Sequence, residues 1–261
     1  MTGNAMHGDV GVLLLHGFGG EPFEMLGLAD ALASAGFAVS APLLPGHGQD
    51  VTAWSRTGFG DWYGAAREAY LDMQSRFGRV FVMGLSMGGT LSLRLAQEFS
   101  PAGVLTVAAP VFLYRLYPLE FSDWRLPFVR LLRHVRPLWP VSPPKPRSRE
   151  IAPWKGYEGV TALAPLESLL RGMREVRGRL ADISAPLLAL HARGDRTVPD
   201  SNAWEIVRRV SSDDRNLVLF NVAETVTSRH VLTTHRETRD GVARLAVDFV
   251  SRLVGNGTAC P

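Results

Sequence analysis

The sequence predicts an α/β fold in which helices cover both faces of a mostly parallel, doubly wound sheet of about six to seven strands. Short apolar runs rich in Val and Leu alternate with segments whose apolar residues recur three and four positions apart. The runs are typical of strands buried on both faces, and the second pattern is typical of amphipathic helices. Alternation of the two favours a parallel sheet between two layers of helix.

The apolar runs predict six strands, at residues 10–15, 37–39, 80–83, 103–107, 186–190 and 217–220. Helical periodicity between and after these runs predicts helices that include residues 90–99, 166–176, 201–210 and 245–253. A chain of 261 residues with 46% hydrophobic residues can bury most of its apolar surface in one core. We therefore expect residues 1–261 to form a single domain.

Residues 111–160 interrupt this alternation. The stretch contains clusters of proline and aromatic residues, and it is too long for an ordinary connection in a compact domain. We therefore expect an insertion within the single domain.

The composition excludes several classes of function. The only cysteine, Cys260, lies beside the C-terminal Pro261, where it can join neither an internal disulfide nor a metal cluster. Residues 1–9 have no basic stretch followed by an apolar one, and no run approaches the ~20 apolar residues of a membrane span. We therefore expect a cytoplasmic protein without a metal or organic cofactor.

The net charge of +3 is unevenly distributed. Residues 111–180 contain 13 Lys and Arg against 6 Asp and Glu, so this segment carries +7 and the rest of the chain −4. A basic patch can attract nucleic acid, anionic lipid or acidic substrates, but the repeated aromatic and basic interleaving of single-strand binders is missing. We expect a hydrated basic surface, no nucleic-acid partner and at most transient contact with a lipid surface.

A serine flanked by glycines follows the predicted strand 80–83 and precedes the predicted helix 90–99. The sequence reads Gly84-Leu85-Ser86-Met87-Gly88-Gly89. A sharp turn from strand to helix lifts a serine hydroxyl out of the sheet, and it requires small residues two positions before and after the serine. The G-x-S-x-G pattern alone is weak evidence, but in this context it makes Ser86 a candidate nucleophile.

A serine nucleophile needs a base within hydrogen-bond reach, and the base needs an acid that fixes its tautomer. In a site of this kind the chain order is serine, acid, histidine. Asp195 lies in the loop after the predicted strand 186–190, directly after a glycine, and it is the candidate acid. Asp200 is the alternative, but we expect it to cap the N-terminus of the helix 201–210.

Two histidines, His230 and His235, follow the last predicted strand. Other histidines do not fit the chain order because they precede the serine, lie in the insertion or precede the acid: His16, His47, His134 and His191. His230 is the candidate base, since it follows Ser228-Arg229, whereas His235 lies beside the charged pair Arg236-Glu237. We expect His235 to be a surface histidine or to support the site from outside.

Acyl transfer places negative charge on a carbonyl oxygen in the transition state, so backbone N–H groups have to face that atom. In a strand–serine–helix site these donors come from the residue after the serine and from the loop after the first core strand. We therefore expect the N–H groups of Met87 and Phe18 to be the donors. The alternative for His16-Gly17 is a tight turn with no catalytic part.

Six segments together resemble the α/β-hydrolase superfamily, and within it the small bacterial carboxylesterases and monoacylglycerol lipases. They are HGFGGEP (16–22), LLPGHG (43–48), DWYGAAREAY (61–70), GLSMGG (84–89), GDRTVP (194–199) and SRHV (228–231). The resemblance spans almost the whole chain and implies an α/β-hydrolase fold with an inserted cap. It also implies the same roles for Ser86, Asp195, His230, Phe18 and Met87. One departure is Arg229, which stands where relatives often have glycine.

The function expected from this resemblance is hydrolysis of carboxylic esters, either short- to medium-chain acyl esters or monoacylglycerols, through an acyl-enzyme. Two alternatives remain: the same triad acting on a carbon–carbon, amide or lactone bond, and a catalytically silent binding protein of this fold. Serine at position 86 excludes the nucleophilic aspartate of haloalkane dehalogenases and epoxide hydrolases.

The second departure is the insertion, which resembles the cap that shapes the acyl pocket in this superfamily but is divergent and richer in arginine. Between Leu126 and Arg133, the apolar residues Phe128, Leu131 and Leu132 can share one helical face. We expect that face to lie over Ser86, with the arginines hydrated on the outer side. The alternative is that these residues only pack against the core.

Overall fold

The computed structural model describes residues 8–117, 119–121 and 123–256. The strands in this part of the chain are β1 Val10–Leu15, β2 Ala38–Ser40, β3 Arg79–Leu85, β4 Gly103–Val107, β5 Tyr114–Leu116, β6 Leu119–Phe121, β7 Leu138–Pro140, β8 Val160–Ala162, β9 Leu187–Ala192 and β10 Arg215–Phe220. The α-helices are α1 Leu26–Ser34, α2 Val51–Ser55, α3 Phe59–Arg76, α4 Met87–Glu98, α5 Val129–Val135, α6 Pro146–Ile151, α7 Leu163–Gly178, α8 Ser201–Arg209 and α9 Arg239–Asn256.

Six of these strands form the main sheet, in the order β10-β9-β4-β3-β1-β2, and every neighbouring pair is parallel. The predicted fold class is therefore confirmed. The register places Leu15 beside Gly84 and Val107 beside Leu190, so the carboxyl ends of the four central strands meet at one edge. In open parallel sheets this edge is where ligands bind.

The core has two layers, one on each face of the sheet. All six residues of β1 are buried, and they alternate between the layers: Leu13 and Leu15 pack with α3 and α4, whereas Val12 and Leu14 pack with α1 and α9. A strand covered on both faces has no polar side, which explains the continuous apolar runs in the sequence.

The chain leaves this pattern between β4 and α7. Here it forms two small antiparallel pairs, β5 with β6 and β7 with β8, and the short helices α5 and α6. The stretch predicted to be an insertion, residues 111–160, falls within this interval, and β8 extends it to Ala162. We refer to residues 111–162 as the inserted segment.

The expectation that Phe128, Leu131 and Leu132 lie over Ser86 is wrong. Leu132 is partly buried and packs against the core, which is the alternative, and it does not line the cavity above Ser86. Phe128 is 52% exposed and Leu131 is 67% exposed, and neither lines the cavity above Ser86. A 3₁₀ turn at residues 126–128 precedes α5, and side chains three apart in such a turn point the same way. Leu126 and Val129 therefore face inward and are buried, which leaves Phe128 outside.

Asp200 precedes α8, as expected, but its side chain does not cap the helix. A capping side chain requires extended backbone, whereas Asp200 is already helical, with φ −64° and ψ −16°. The first turn is closed instead by backbone hydrogen bonds from Asn202 N to Pro199 O and from Ala203 N to Asp200 O.

Two expectations from composition concern membranes and cysteine. In the three described ranges, no helix combines the length and apolar character needed to cross a membrane. Cys260 lies outside the described residues.

Candidate active site

The turn between β3 and α4 holds Ser86 in a strained conformation, with φ 53° and ψ −120°. A Cβ on Gly84 would overlap the backbone of Gly88, and a Cβ on Gly88 would overlap the Leu15 carbonyl group. The prediction that small residues are required two positions either side of the serine is therefore confirmed. The Ser86 N–H donates to Val107 O at 2.8 Å, which ties the turn to the neighbouring strand.

Three polar side chains from different strand ends form one hydrogen-bonded chain. His230 Nε2 lies 2.9 Å from Ser86 Oγ, and His230 Nδ1 lies 2.7 Å from Asp195 Oδ2. The other Asp195 oxygen accepts from the N–H groups of Thr197 and Val198 at 2.8 and 3.0 Å. The carboxylate is therefore fixed on one side by backbone and on the other by imidazole.

Burial and charge act in opposite directions on the two central groups. Burial alone would raise the pKa of Asp195, but the His230 and His191 imidazoles outweigh it and lower that pKa to about 2. Burial alone would lower the pKa of His230, but the Asp195 carboxylate outweighs it and raises the pKa above 6.5. Near neutral pH the pair is poised to exchange a proton with Ser86, because the carboxylate stabilises the imidazolium.

The structure also shows a role for His191, which chain order excluded as the base. Its side chain is buried at the end of β9, with Nε2 3.0 Å from Val198 O and 3.4 Å from Asp195 Oδ2. His191 and His230 thus both lie against Oδ2 of the Asp195 carboxylate.

The loop that carries His230 is held by a partly buried carboxylate. Glu224 accepts from Thr227 N at 2.9 Å and from His235 Nε2 at 3.1 Å. His235 is fully buried, so the expectation of a surface histidine is wrong and its supporting role is the one observed. Arg229 has φ 61°, a conformation that favours glycine, and its guanidinium donates to Glu224 O. A glycine at this position would adopt the same backbone conformation without strain.

The turn after β1, residues 16–20, faces Ser86. The N–H of Gly17 donates to Glu24 Oε2 at 2.7 Å, and that of Gly19 donates to His47 Nε2 at 3.1 Å. The Phe18 N–H lies between these two amides, and within the described residues it has no protein acceptor. Met87 is the first residue of α4, where amides have no partner inside the helix.

Two buried histidines hold this turn. His16 Nε2 accepts from Leu44 N and His47 Nε2 accepts from Gly19 N, each at 3.1 Å. Burial lowers the pKa of His16 to about 3 and also lowers that of His47. Both imidazoles are therefore neutral, which leaves Nε2 free to accept. The segments HGFGGEP and LLPGHG contain these residues, but chain order alone gave them no role.

Glu24 is a buried group that sequence reasoning missed. Its side chain is 2% exposed and lies under the turn, where it accepts from Gly17 N. Burial raises the pKa of Glu24 to about 7. The sequence signals only a carboxylate in a short turn after Pro22, which is common on protein surfaces.

A cavity of about 580 Å³ opens above Ser86 and His230. Its walls are mostly apolar and come from both the inserted segment and α7: Leu113, Leu126, Val141, Trp154, Tyr157, Leu166, Leu169 and Met173. Among the described residues, no three His, Cys, Asp or Glu side chains are grouped so that they can hold a metal ion.

The parallel sheet, the strained serine turn and the chain from Ser86 to Asp195 are those of an α/β hydrolase. A family model agrees over residues 8–224, which is most of the chain, and its description is serine aminopeptidase, S33 (Hydrolase_4). The protein belongs to this family. His230 lies beyond the matched residues, so its placement rests on the geometry above.

Two curated relatives match most of the chain. A thermostable monoacylglycerol lipase from Bacillus sp. (strain H-257) is 36% identical over 215 residues, 82% of each protein. A carboxylesterase from Bacillus subtilis (strain 168) is 27% identical over 247 residues, 94% of each protein. Among solved structures, one described with the metagenome-derived lipolytic enzymes LipS and LipT has a TM-score of 0.82 at 24% identity. It covers 94% of this chain and 95% of its own, and it supports the fold.

The raised pKa of His230 predicts how the reactivity of Ser86 depends on pH. Only neutral imidazole can accept the serine proton, so labelling of Ser86 by a fluorophosphonate should slow as pH falls through a value above 6.5. The measurement is the labelling rate from about pH 5 to about pH 9. A rate independent of pH, or a midpoint below 6.5, would contradict this prediction.

The buried His235 predicts a cost in stability. His235→Ala removes a partner of the Glu224 carboxylate, so we expect a loss of ~1–3 kcal/mol in the free energy of unfolding and slower labelling of Ser86. Urea unfolding and the labelling rate check this. His134→Ala is the matched control, because His134 is exposed on α5. Equal effects of the two substitutions would contradict the supporting role of His235.

Proposed function

We propose that this protein hydrolyses carboxylic esters through an acyl-enzyme formed on Ser86. The observation that carries the proposal is the hydrogen-bonded chain from Ser86 through His230 to Asp195 at the floor of an apolar cavity. The two curated relatives, a monoacylglycerol lipase and a carboxylesterase, support ester hydrolysis as the reaction.

In the first half of the reaction, Ser86 Oγ attacks the ester carbonyl carbon while neutral His230 takes the hydroxyl proton. Asp195 orients the imidazole and stabilises the imidazolium that forms. The N–H groups of Phe18 and Met87 donate to the carbonyl oxygen as it becomes negative. When the intermediate collapses, His230 gives its proton to the departing alkoxide, and the acyl group stays on Ser86.

In the second half, His230 takes a proton from a water molecule, whose oxygen attacks the acyl carbon. The second tetrahedral intermediate is stabilised by the same N–H groups. Its collapse breaks the bond to Ser86 Oγ, which regains a proton from His230 and releases the carboxylic acid. This cycle uses only residues of the chain and needs neither a metal nor an organic cofactor.

The substrate we propose is an acyl ester of short to medium chain length or a monoacylglycerol. The inserted segment acts as a cap, because Leu113, Leu126 and Val141 from this segment line the cavity with apolar side chains. Each CH₂ of an acyl chain buried there is worth up to ~0.8 kcal/mol.

The family description includes an aminopeptidase, which makes amide hydrolysis the main alternative. An aminopeptidase has to bind the ammonium group of its substrate, normally through a free carboxylate. The two acidic residues in the described lining are already paired, Asp123 with Arg125 and Glu158 with Arg149. The apolar character of the remaining walls therefore favours an acyl ester.

Partners and location remain predictions from the sequence. Transient contact with a lipid surface is supported by exposed apolar side chains on the inserted segment, where Tyr117, Trp124 and Val135 are all more than 60% exposed.

Substitution of Ser86 tests the reaction. Ser86→Ala should lower kcat for p-nitrophenyl butyrate by about 10⁶-fold while the melting temperature stays near that of the wild type, because one hydroxyl is lost from a preserved fold. The same assay with aminoacyl p-nitroanilides separates ester from amide hydrolysis. Retention of more than a few per cent of the activity, or a preference for the anilides, would contradict the proposal.

A larger side chain in the cavity tests the cap. Val141→Phe should lower kcat/KM for p-nitrophenyl octanoate about 10-fold or more and change that for the acetate little, because only the longer chain reaches this wall. Val135→Phe is the matched control, since Val135 is 79% exposed outside the cavity. If both variants keep the wild-type preference for chain length, the inserted segment does not form the acyl site.

A further inference from the structure

Four residues of the inserted segment, Trp154 to Tyr157, lie directly against the turn that carries Phe18. We call residues 154–157 the clamp. Gly156 forms an antiparallel bridge with Gly20, and the Tyr157 N–H donates to Gly19 O at 2.9 Å. The clamp is therefore joined to the turn by backbone hydrogen bonds.

The fit between clamp and turn leaves no room for a side chain. A Cβ on Gly156 would overlap Gly19 O. Aromatic rings close the contact, because Tyr157 stacks on Trp54 with ring centroids 4.6 Å apart and Phe18 packs on the same indole at 4.9 Å. A shift of the clamp would therefore move Gly19 and Gly20, which directly follow Phe18.

Glu24 holds the turn from the inside. Its carboxylate accepts from Gly17 N at 2.7 Å, and a Cβ on Gly20 would lie 2.5 Å from Glu24 Oε1. The Trp154 side chain lies near this carboxylate and lowers the pKa of Glu24, against the effect of burial. One buried carboxyl group therefore holds the turn and faces the clamp.

We propose that Glu24 and the clamp are positioning elements that aim the Phe18 N–H at the substrate carbonyl oxygen. The amides either side of Phe18 are fixed by Glu24 and His47, and the carbonyl of Gly19 is fixed by Tyr157, so the direction of the Phe18 amide is determined. The inserted segment then stabilises the transition state, in addition to forming the acyl site. This inference rests on the proposed ester hydrolysis.

The charge of Glu24 also affects the protonation of His230. The titratable groups that face it are Glu21, which pairs with Lys155 of the clamp, and His230, while His16 and His47 across the turn are neutral. An ionised Glu24 favours imidazolium at His230. Removal of this charge should therefore move the acidic limb of the kcat/KM profile to lower pH.

Glu24→Ala and Gly156→Ala test the positioning role. Each should lower kcat for p-nitrophenyl butyrate by ~10²-fold, the usual effect of losing one oxyanion donor, with KM nearly unchanged. The affinity for the matching trifluoromethyl ketone should fall by a similar factor, because its hemiketal oxygen occupies the oxyanion position. Gly178→Ala is the matched control, since a Cβ there meets no atom within 4 Å.

Glu24→Gln separates positioning from charge. Its amide oxygen can still accept from Gly17 N, so kcat should stay close to that of the wild type while the acidic limb moves to lower pH. Glu24→Gln also tests the role of Glu24 if the alanine variants do not fold. A loss of kcat in folded Glu24→Gln as large as that in Glu24→Ala would overturn the positioning role assigned to Glu24.

The remaining outcomes distinguish this inference from the proposed function. If the wild type hydrolyses the ester and folded Glu24→Ala and Gly156→Ala keep both kcat and ketone affinity, the clamp does not position Phe18. If the wild type neither hydrolyses the ester nor reacts with a fluorophosphonate, the proposed function itself is wrong.

Discussion

Crowding of the backbone at the end of β3 constrains most of the site. The chain turns so sharply at Ser86 that residues 84 and 88 have to be glycine, and Gly88 then lies directly on the Leu15 carbonyl group. This contact packs the serine turn against the end of β1. The distance between Ser86 and the Phe18 amide is therefore set by sheet register and by two missing side chains, before any polar group contributes.

The buried histidines show how one residue type serves two purposes in the same site. At His16 burial dominates, so the ring is neutral and acts as a fixed acceptor for a backbone amide. At His230 the Asp195 carboxylate dominates, so the ring can take up a proton. The pKa values of His16 and His230 shift in opposite directions because of the neighbouring side chain, since both rings are almost fully buried. A buried carboxylate therefore decides which histidine can carry a proton.

The sheet was predictable because strands buried on both faces leave continuous apolar runs, and Ser86, Asp195 and His230 were predictable as neighbours because each follows the end of such a run. The predictions for Phe128 and His235 were wrong because contacts between residues far apart in the sequence determine where these side chains lie. The 3₁₀ turn before α5 places Phe128 outside, and the pocket around Glu224 buries His235. Glu24 gave no usable signal, because the Gly17 amide from which it accepts meets the carboxylate only in the folded chain.

The clamp also determines when the site is complete during folding. Tyr157 reaches back 111 positions to Gly46, and His230 reaches back 144 positions to Ser86. Contacts that close such long loops lose chain entropy before their bonding offsets it, so they form after the local elements. A chain with a finished sheet and an undocked clamp would hold Ser86 on its turn, but the Phe18 amide would lack the support of Gly156 and Tyr157. We therefore expect recovery of activity to lag behind recovery of secondary structure.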